Sequence, residues 1–215
     1  MSTSQNKTLR IKTRELALIS VFSALWVAAE VTLGPIIGKF PIGPFSLHGV
    51  VNRLMGWLLM FVLAELTGKF GRVSIMASIA ALVTRMFRRS PYAVGGLVIG
   101  VGYALGGLIF DLLFMYKANN LEGLKLKIYL LIAATISGVI ASAPYVFYNL
   151  FALGVYPIIL RSPIYVQSTV KGTVFSIFGV SIGLSFSSRI AFLLPAQKIA
   201  KPLEKKTIST YRQHE

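Results

Sequence analysis

Few polar side chains interrupt the apolar stretches of this 215-residue chain, and those that do are its candidates for chemistry. Glu30, His48, Asn52, Arg53, Arg85, Tyr92, Tyr145, Tyr148, Asn149, Tyr165, Gln167 and Lys171 all fall toward one end of the apolar segments that carry or border them. An ionisable group at the centre of a bilayer costs roughly 2.5 to 3.5 kcal/mol even on insertion scales, so their positions are clues. Their types suit binding: amides and phenols to hydrogen-bond, a carboxylate and guanidinium groups to hold charge. Tyr145, Tyr148 and Asn149 stand at i, i+3 and i+4 and share a helical face. Pro144, just before them, can open the backbone of that turn. With Trp57 as a stacking floor, the candidate binding set is Glu30, Asn52, Trp57, Arg85, Tyr92, Tyr145, Tyr148 and Asn149. The plainer reading of each tyrosine is an interfacial belt residue, and of Glu30 a boundary position.

Arg85, Arg88 and Arg89 invite an anion, because guanidinium forks match carboxylate and phosphate oxygens. Arg88 and Arg89 equally suit solvent or lipid headgroups. Arg85, one turn deeper, suits Glu30 or an anionic group on a ligand. Elsewhere Glu65 precedes Lys69 by four residues, a favourable helical pair. Asp111 is a candidate proton-coupling carboxylate, although no second carboxylate stands at its depth. The absence of cysteine excludes thiolate chemistry, and two histidines, His48 and His214, are too few and too far apart for a zinc motif. No metal or cofactor is expected. Gly100, Gly102 and Gly106 are spaced GxGxxxG inside a span, and Gly34 to Lys39 reads GxxxGK without the Ser or Thr, so neither a dinucleotide site nor a phosphate loop follows. An enzyme is the weakest class, for want of a Ser/His pair or metal cluster at membrane depth.

The elements that must position these residues are transmembrane helices. Hydrophobic residues make up 55% of the chain and charged residues 13%, with mean hydropathy +0.71; a soluble domain carries about 25% charge. Apolar segments at about 15–33, 49–66, 73–86, 92–116, 128–153 and 168–194 predict an all-α, six-helix membrane domain over 14–194, between basic tails at 1–13 and 195–215. Lys39 to His48, with Pro41, Gly43 and Pro44, reads as an ordered loop. Fifteen of the 22 basic residues fall on the side of the tails: four in the first tail, Lys69, Arg72, Lys117, Lys125, Lys127, and six from Arg189 onward. The positive-inside rule therefore puts both termini in the cytoplasm of a multi-pass cell-membrane protein. The charge of +15 is then topological and meets lipid headgroups, with no nucleic-acid partner implied.

Small residues recur every four positions at Ser20, Ala24 and Ala28, and in the pairs Gly96/Gly100, Gly102/Gly106 and Gly179/Gly183. Such stripes let helices approach closely. For the glycines, packing inside the bundle is the default; the first-span stripe has no evident internal counterpart and is free to meet another subunit.

Six spans in about 200 residues, the lead Thr13-Arg14-Glu15-Leu16-Ala17-Leu18 into span one, the Ala24-xxx-Ala28 stripe and the Gly/Pro-rich first loop resemble the substrate-capture (S) components of energy-coupling factor transporters. The resemblance implies a vitamin or vitamin precursor bound in an outward pocket. It also implies a transmembrane coupling subunit, driven by two ATPases, docked on Ser20, Ala24 and Ala28. The stretches Ala80 to Val83, Ser90-Pro91-Tyr92 and Gly100 to Gly106 look most like the branch for thiamine or its hydroxymethylpyrimidine precursor. Where that branch tends to carry acidic residues this chain has Thr84, Arg85 and Gly107, which does not favour a cationic ligand. A proton-coupled transporter, needing a carboxylate pair such as Glu30 and Asp111, and a structural subunit of a membrane complex are the competing classes.

Overall fold

The computed structural model describes residues 11–42, 45–47, 49–87, 93–117, 121 and 123–193. Among these, the elements are α1 (Thr13–Ile37), β1 (Pro41–Ile42), β2 (Phe45–Ser46), α2 (Val50–Thr67), α3 (Arg72–Phe87), α4 (Ala93–Lys117), α5 (Gly123–Ile140), α6 (Ala143–Leu153) and α7 (Val155–Leu193). The fold is an all-α bundle. α1, α2, α4, the α5–α6 pair and α7 are each long and apolar enough to cross a membrane. α3, at 16 residues, spans about 24 Å at 1.5 Å per residue, short of the ~30 Å hydrocarbon core.

Turn residues set the boundaries of α2. Gly49 precedes it with φ +79°, and Gly68 closes it with φ +56°, its N–H bonded to the Ala64 carbonyl; both are left-handed conformations that glycine adopts without a Cβ penalty. In the first loop, Pro41–Ile42 pairs antiparallel with Phe45–Ser46, so part of the expected loop is a two-residue β-pairing.

Three expectations need correction. The first span passes Gly34 and Pro35 and continues to Ile37. The fifth segment is two helices, broken at Ala141 and Ser142, and Pro144 sits in the first turn of α6, where its missing N–H has no intrahelical bond to lose. The sixth helix starts at Val155 rather than near Ser168 and runs through Pro157 and Pro163, in the stretch that the sequence reads as a loop between the fifth and sixth spans. Pro157 falls in its opening turn, again at no cost in hydrogen bonds. Pro163 cannot donate to the Ile159 carbonyl, but the Ser162 hydroxyl does so at 2.8 Å, which satisfies the acceptor that the proline strands.

α1 packs on α2 and α3, α4 on α3 and α5, and α7 on α2 and α5. The glycine pairs lie in these seams. A Cβ on Gly102 would run into the Ala141 carbonyl, and one on Gly179 into the backbone of α2 at Leu54 and Leu58. Trp26, Trp57, Met60, Phe61, Phe110, Leu130 and Val180 fill the centre, while Leu16, Val21, Leu25, Leu33 and other large apolar residues stand exposed on the outside, as a lipid-facing surface requires.

At the end of the bundle formed by the α2–α3 turn, two acidic residues tie helices together. Glu15 accepts bonds from Lys69 Nζ at 2.5 Å and from Arg72 Nε and Nη2 at 3.0 and 2.9 Å. Lys69, which sequence spacing pairs with Glu65, thus reaches across to α1. Asp111, buried on α4, accepts the Gly71 N–H at 2.7 Å, the Ser74 N–H at 3.3 Å and the Ser74 hydroxyl at 3.0 Å. It caps the N-terminus of α3 from a neighbouring helix, satisfying donors that would otherwise lack partners. That is a structural role, beside the proton-coupling one considered from sequence.

Candidate ligand-binding cavity

A cavity of about 360 Å³ lies near the other end, at the start of α2 and the end of α3, bounded by α1, the first half of α4, the α5–α6 break and the middle of α7. Its wall is made by Glu30, Gly49, Val50, Asn52, Arg53, Arg85, Ile99, Tyr103, Ala141, Ser142, Tyr145, Val146, Ser168, Lys171 and Gly172. The size and the mixture of apolar surface with a few convergent polar groups are those of a small-molecule site.

The polar groups are held from behind. The Trp26 indole N–H donates to Asn52 Oδ1 at 2.5 Å, which engages the amide oxygen and leaves the amide's NH2 end as its donor. Arg53 bridges the helix break: Nη1 donates to the Gly138 carbonyl and Nη2 to the Ser142 hydroxyl, each at 2.7 Å. A cation at the C-terminal end of α5 meets the negative end of that helix dipole. The same guanidinium lies 5.2 Å from the Trp57 ring centroid and 5.1 Å from that of Tyr103, within cation–π range. Gly172 packs closely against it, since a Cβ there would stand 3.1 Å from Arg53 Nε, a tight contact. Tyr103 is fixed edge-on by Trp26, at 5.9 Å and 87°, and by Trp57, at 6.2 Å and 64°.

Of the eight candidate binding residues, the fold brings Glu30, Asn52, Arg85 and Tyr145 to this one wall, from α1, α2, α3 and α6. Glu30 is 1% exposed. Trp57 is not on the wall: it is wholly buried, donates to Ser137 Oγ at 2.8 Å and is covered by Arg53 and Tyr103. Tyr148 and Asn149 lie one turn along α6 from Tyr145 and are also off it. Asn149 is buried with its Nδ2 donating to the Tyr145 carbonyl at 2.7 Å, a bond within the helix. Tyr92, His48, Arg88 and Arg89 fall outside the described residues. The partner-binding candidates Ser20, Ala24 and Ala28 are all exposed on α1.

Sequence reasoning left Arg53 and Lys171 among the polar residues of this half without giving them a role, and it missed Tyr103, Ser142 and Gly172. The signal for Tyr103 was present: a polar aromatic flanked by glycines marks a place where α4 is pressed against a neighbour. The Arg53 role carried no signal, because its partners are a backbone carbonyl and a serine 85 and 89 positions away.

Neither a protein-family model nor a curated protein sequence matches this chain. Among solved structures it is similar to a "Crystal structure of an S-component of ECF transporter", with TM-score 0.54 and 20% sequence identity over 86% of this chain and 87% of that one. That likeness is one of fold: this chain is a multi-pass helical membrane bundle sharing the arrangement of that S-component.

Proposed function

We propose that this protein is the substrate-capturing membrane subunit of an energy-coupling factor importer, binding a vitamin-sized molecule in the cavity between α1 and α7. The observation that carries the reading is the cavity itself. Polar groups from α1, α2, α3, α4, α6 and α7 and from the α5–α6 junction, with Glu30, Asn52, Arg53 and Tyr103 buried among them, converge on about 360 Å³ of space, in a fold similar to that of a solved S-component. Glu30, Asn52, Arg85 and Tyr145 bind in this reading, with Arg53 and Tyr103 added by the geometry. The aromatic wall at Tyr103 and the donor end of Asn52 suit a heteroaromatic ring. Thiamine or its hydroxymethylpyrimidine precursor is one such candidate, suggested by the sequence resemblance.

The exposed Ser20, Ala24 and Ala28 face of α1 supports docking to a transmembrane coupling subunit with its ATPases. The basic-residue balance supports cytoplasmic tails and an outward cavity in the cell membrane. The proton-coupled alternative is weakened, because Asp111 is engaged in capping α3 at the end of the bundle away from Glu30. Native mass spectrometry of the full chain in lipid nanodiscs tests the proposal. One small molecule should be retained at one copy per protein. A chain that retains none, either from its host cell or from added metabolites, is not a capture subunit.

A further inference from the structure

Charge around the cavity is one-sided. Glu30 is the single carboxylate on a wall that also carries Arg53, Arg85 and Lys171. Among the described residues the other acidic ones, Glu15, Glu65 and Asp111, are not on this wall. Glu15 and Asp111 are committed at the far end of the bundle, and Glu65 sits in the last turn of α2, next to the α2–α3 turn. Glu122, Glu204 and Glu215 lie outside the described residues.

Clustered cations in a site of low dielectric repel one another, and each keeps its charge at a cost unless something opposite in sign stands near. Arg53 is held by neutral acceptors, the Gly138 carbonyl and the Ser142 hydroxyl, which satisfy its donors without cancelling its charge. Glu30 cancels one cation of the three. The described residues of the wall thus carry a formal excess of two positive charges, a field that favours an occupant of opposite sign. Guanidinium groups are also the side chains whose fork fits carboxylate and phosphate oxygens.

Building on the capture reading above, we propose that the captured molecule is a small organic anion, carrying a carboxylate or a phosphate ester. Arg85, Lys171 and Arg53 hold the anionic group, and Asn52 and Tyr103 hold the remainder. The thiamine cation is disfavoured by the same charges.

The probe is a total extract of water-soluble metabolites below about 500 Da, split on an anion exchanger into anionic and non-anionic fractions. Each is offered to the full chain in nanodiscs of neutral lipid, and retention is read by native mass spectrometry. Retention from the anionic fraction is expected. Prior phosphatase treatment of that fraction abolishes it for a phosphate ester and leaves it intact for a carboxylate. Arg85→Gln and Lys171→Gln should each weaken binding on the order of tenfold to a hundredfold. Lys171, only half-buried, is the variant to rely on if Arg85→Gln does not fold. Retention from the non-anionic fraction alone overturns the charge assignment and leaves the capture reading standing. Anion binding unchanged in the Lys171 variant and in a folded Arg85 variant also overturns it, as does a phospholipid found as the occupant. Retention from neither fraction overturns both readings together.

Discussion

Replacing Gly102 with alanine should push α4 away from the α5–α6 junction and loosen the cavity wall with it. A Cβ built there overlaps the Ala141 carbonyl oxygen and lies 3.2 Å from its carbon, and both atoms are backbone that cannot rotate aside. Alanine gains about 1 kcal/mol over glycine in helix propensity, and overpacking a tight seam costs about 1 to 3 kcal/mol. A clash with backbone belongs at the upper end of that range, so the net loss should be about 1 to 2 kcal/mol. Gly96, six residues earlier on the same helix, is the internal control. Its Cβ would meet only Arg85 Cδ at 3.6 Å, an ordinary contact, so Gly96→Ala should be neutral or stabilising by up to about 1 kcal/mol. Thermal unfolding of the two full-length variants in nanodiscs is the assay. Because Tyr103 and Ala141 flank this seam and both line the cavity, Gly102→Ala should also weaken retention of the captured molecule. Equal stability of the two variants would refute the reasoning, since chemistry and helix are the same and only the neighbour differs.

Other expectations can be checked separately. Asp111→Ala removes the cap of α3 and leaves the part-buried Gly71 and Ser74 N–H groups without their acceptor, so stability should fall by about 1 to 2 kcal/mol; ligand retention, at the opposite end, should not change, and a loss of retention with stability intact would give the carboxylate a transport role. Ala24→Leu or Ala28→Leu should block co-purification with a coupling subunit while leaving capture by the isolated chain intact; wild-type co-purification of both variants would remove α1 as the docking face. Ser4→Cys, in a chain with no cysteine of its own, should resist a membrane-impermeant thiol reagent applied to intact cells. Labelling from outside would invert the topology.

Much of the architecture was legible because the bilayer imposes it. A run of about 20 apolar residues has few structural options in lipid other than a helix, so the sequence reads as six crossing segments, five of which are long and apolar enough in the structure, and the glycine pairs Gly102/Gly106 and Gly179/Gly183 mark seams where helices touch. The prolines misled for a physical reason. Whether Pro144, Pro157 and Pro163 end a helix or are absorbed depends on which turn they occupy and on what satisfies the stranded carbonyl, and the Ser162 bond to Ile159 is visible only in three dimensions.

For the site, the inventory was legible in the residues alone: Glu30 and an excess of cations fall toward the same end of the apolar segments. Which of those groups share a wall depends on how the helices pack. The break at Ala141 and Ser142 separates α5 from α6, so Tyr145 lines the cavity while Asn149 bonds back to its own helix. The register of α2 against α4 and α7 turns Arg53 toward the helix break and buries Trp57 beneath it. Side chains far apart in sequence become neighbours through helix packing, and the angle and depth of that packing are set by contacts such as Gly102 on Ala141 and Gly172 on Arg53, whose partners no local pattern encodes.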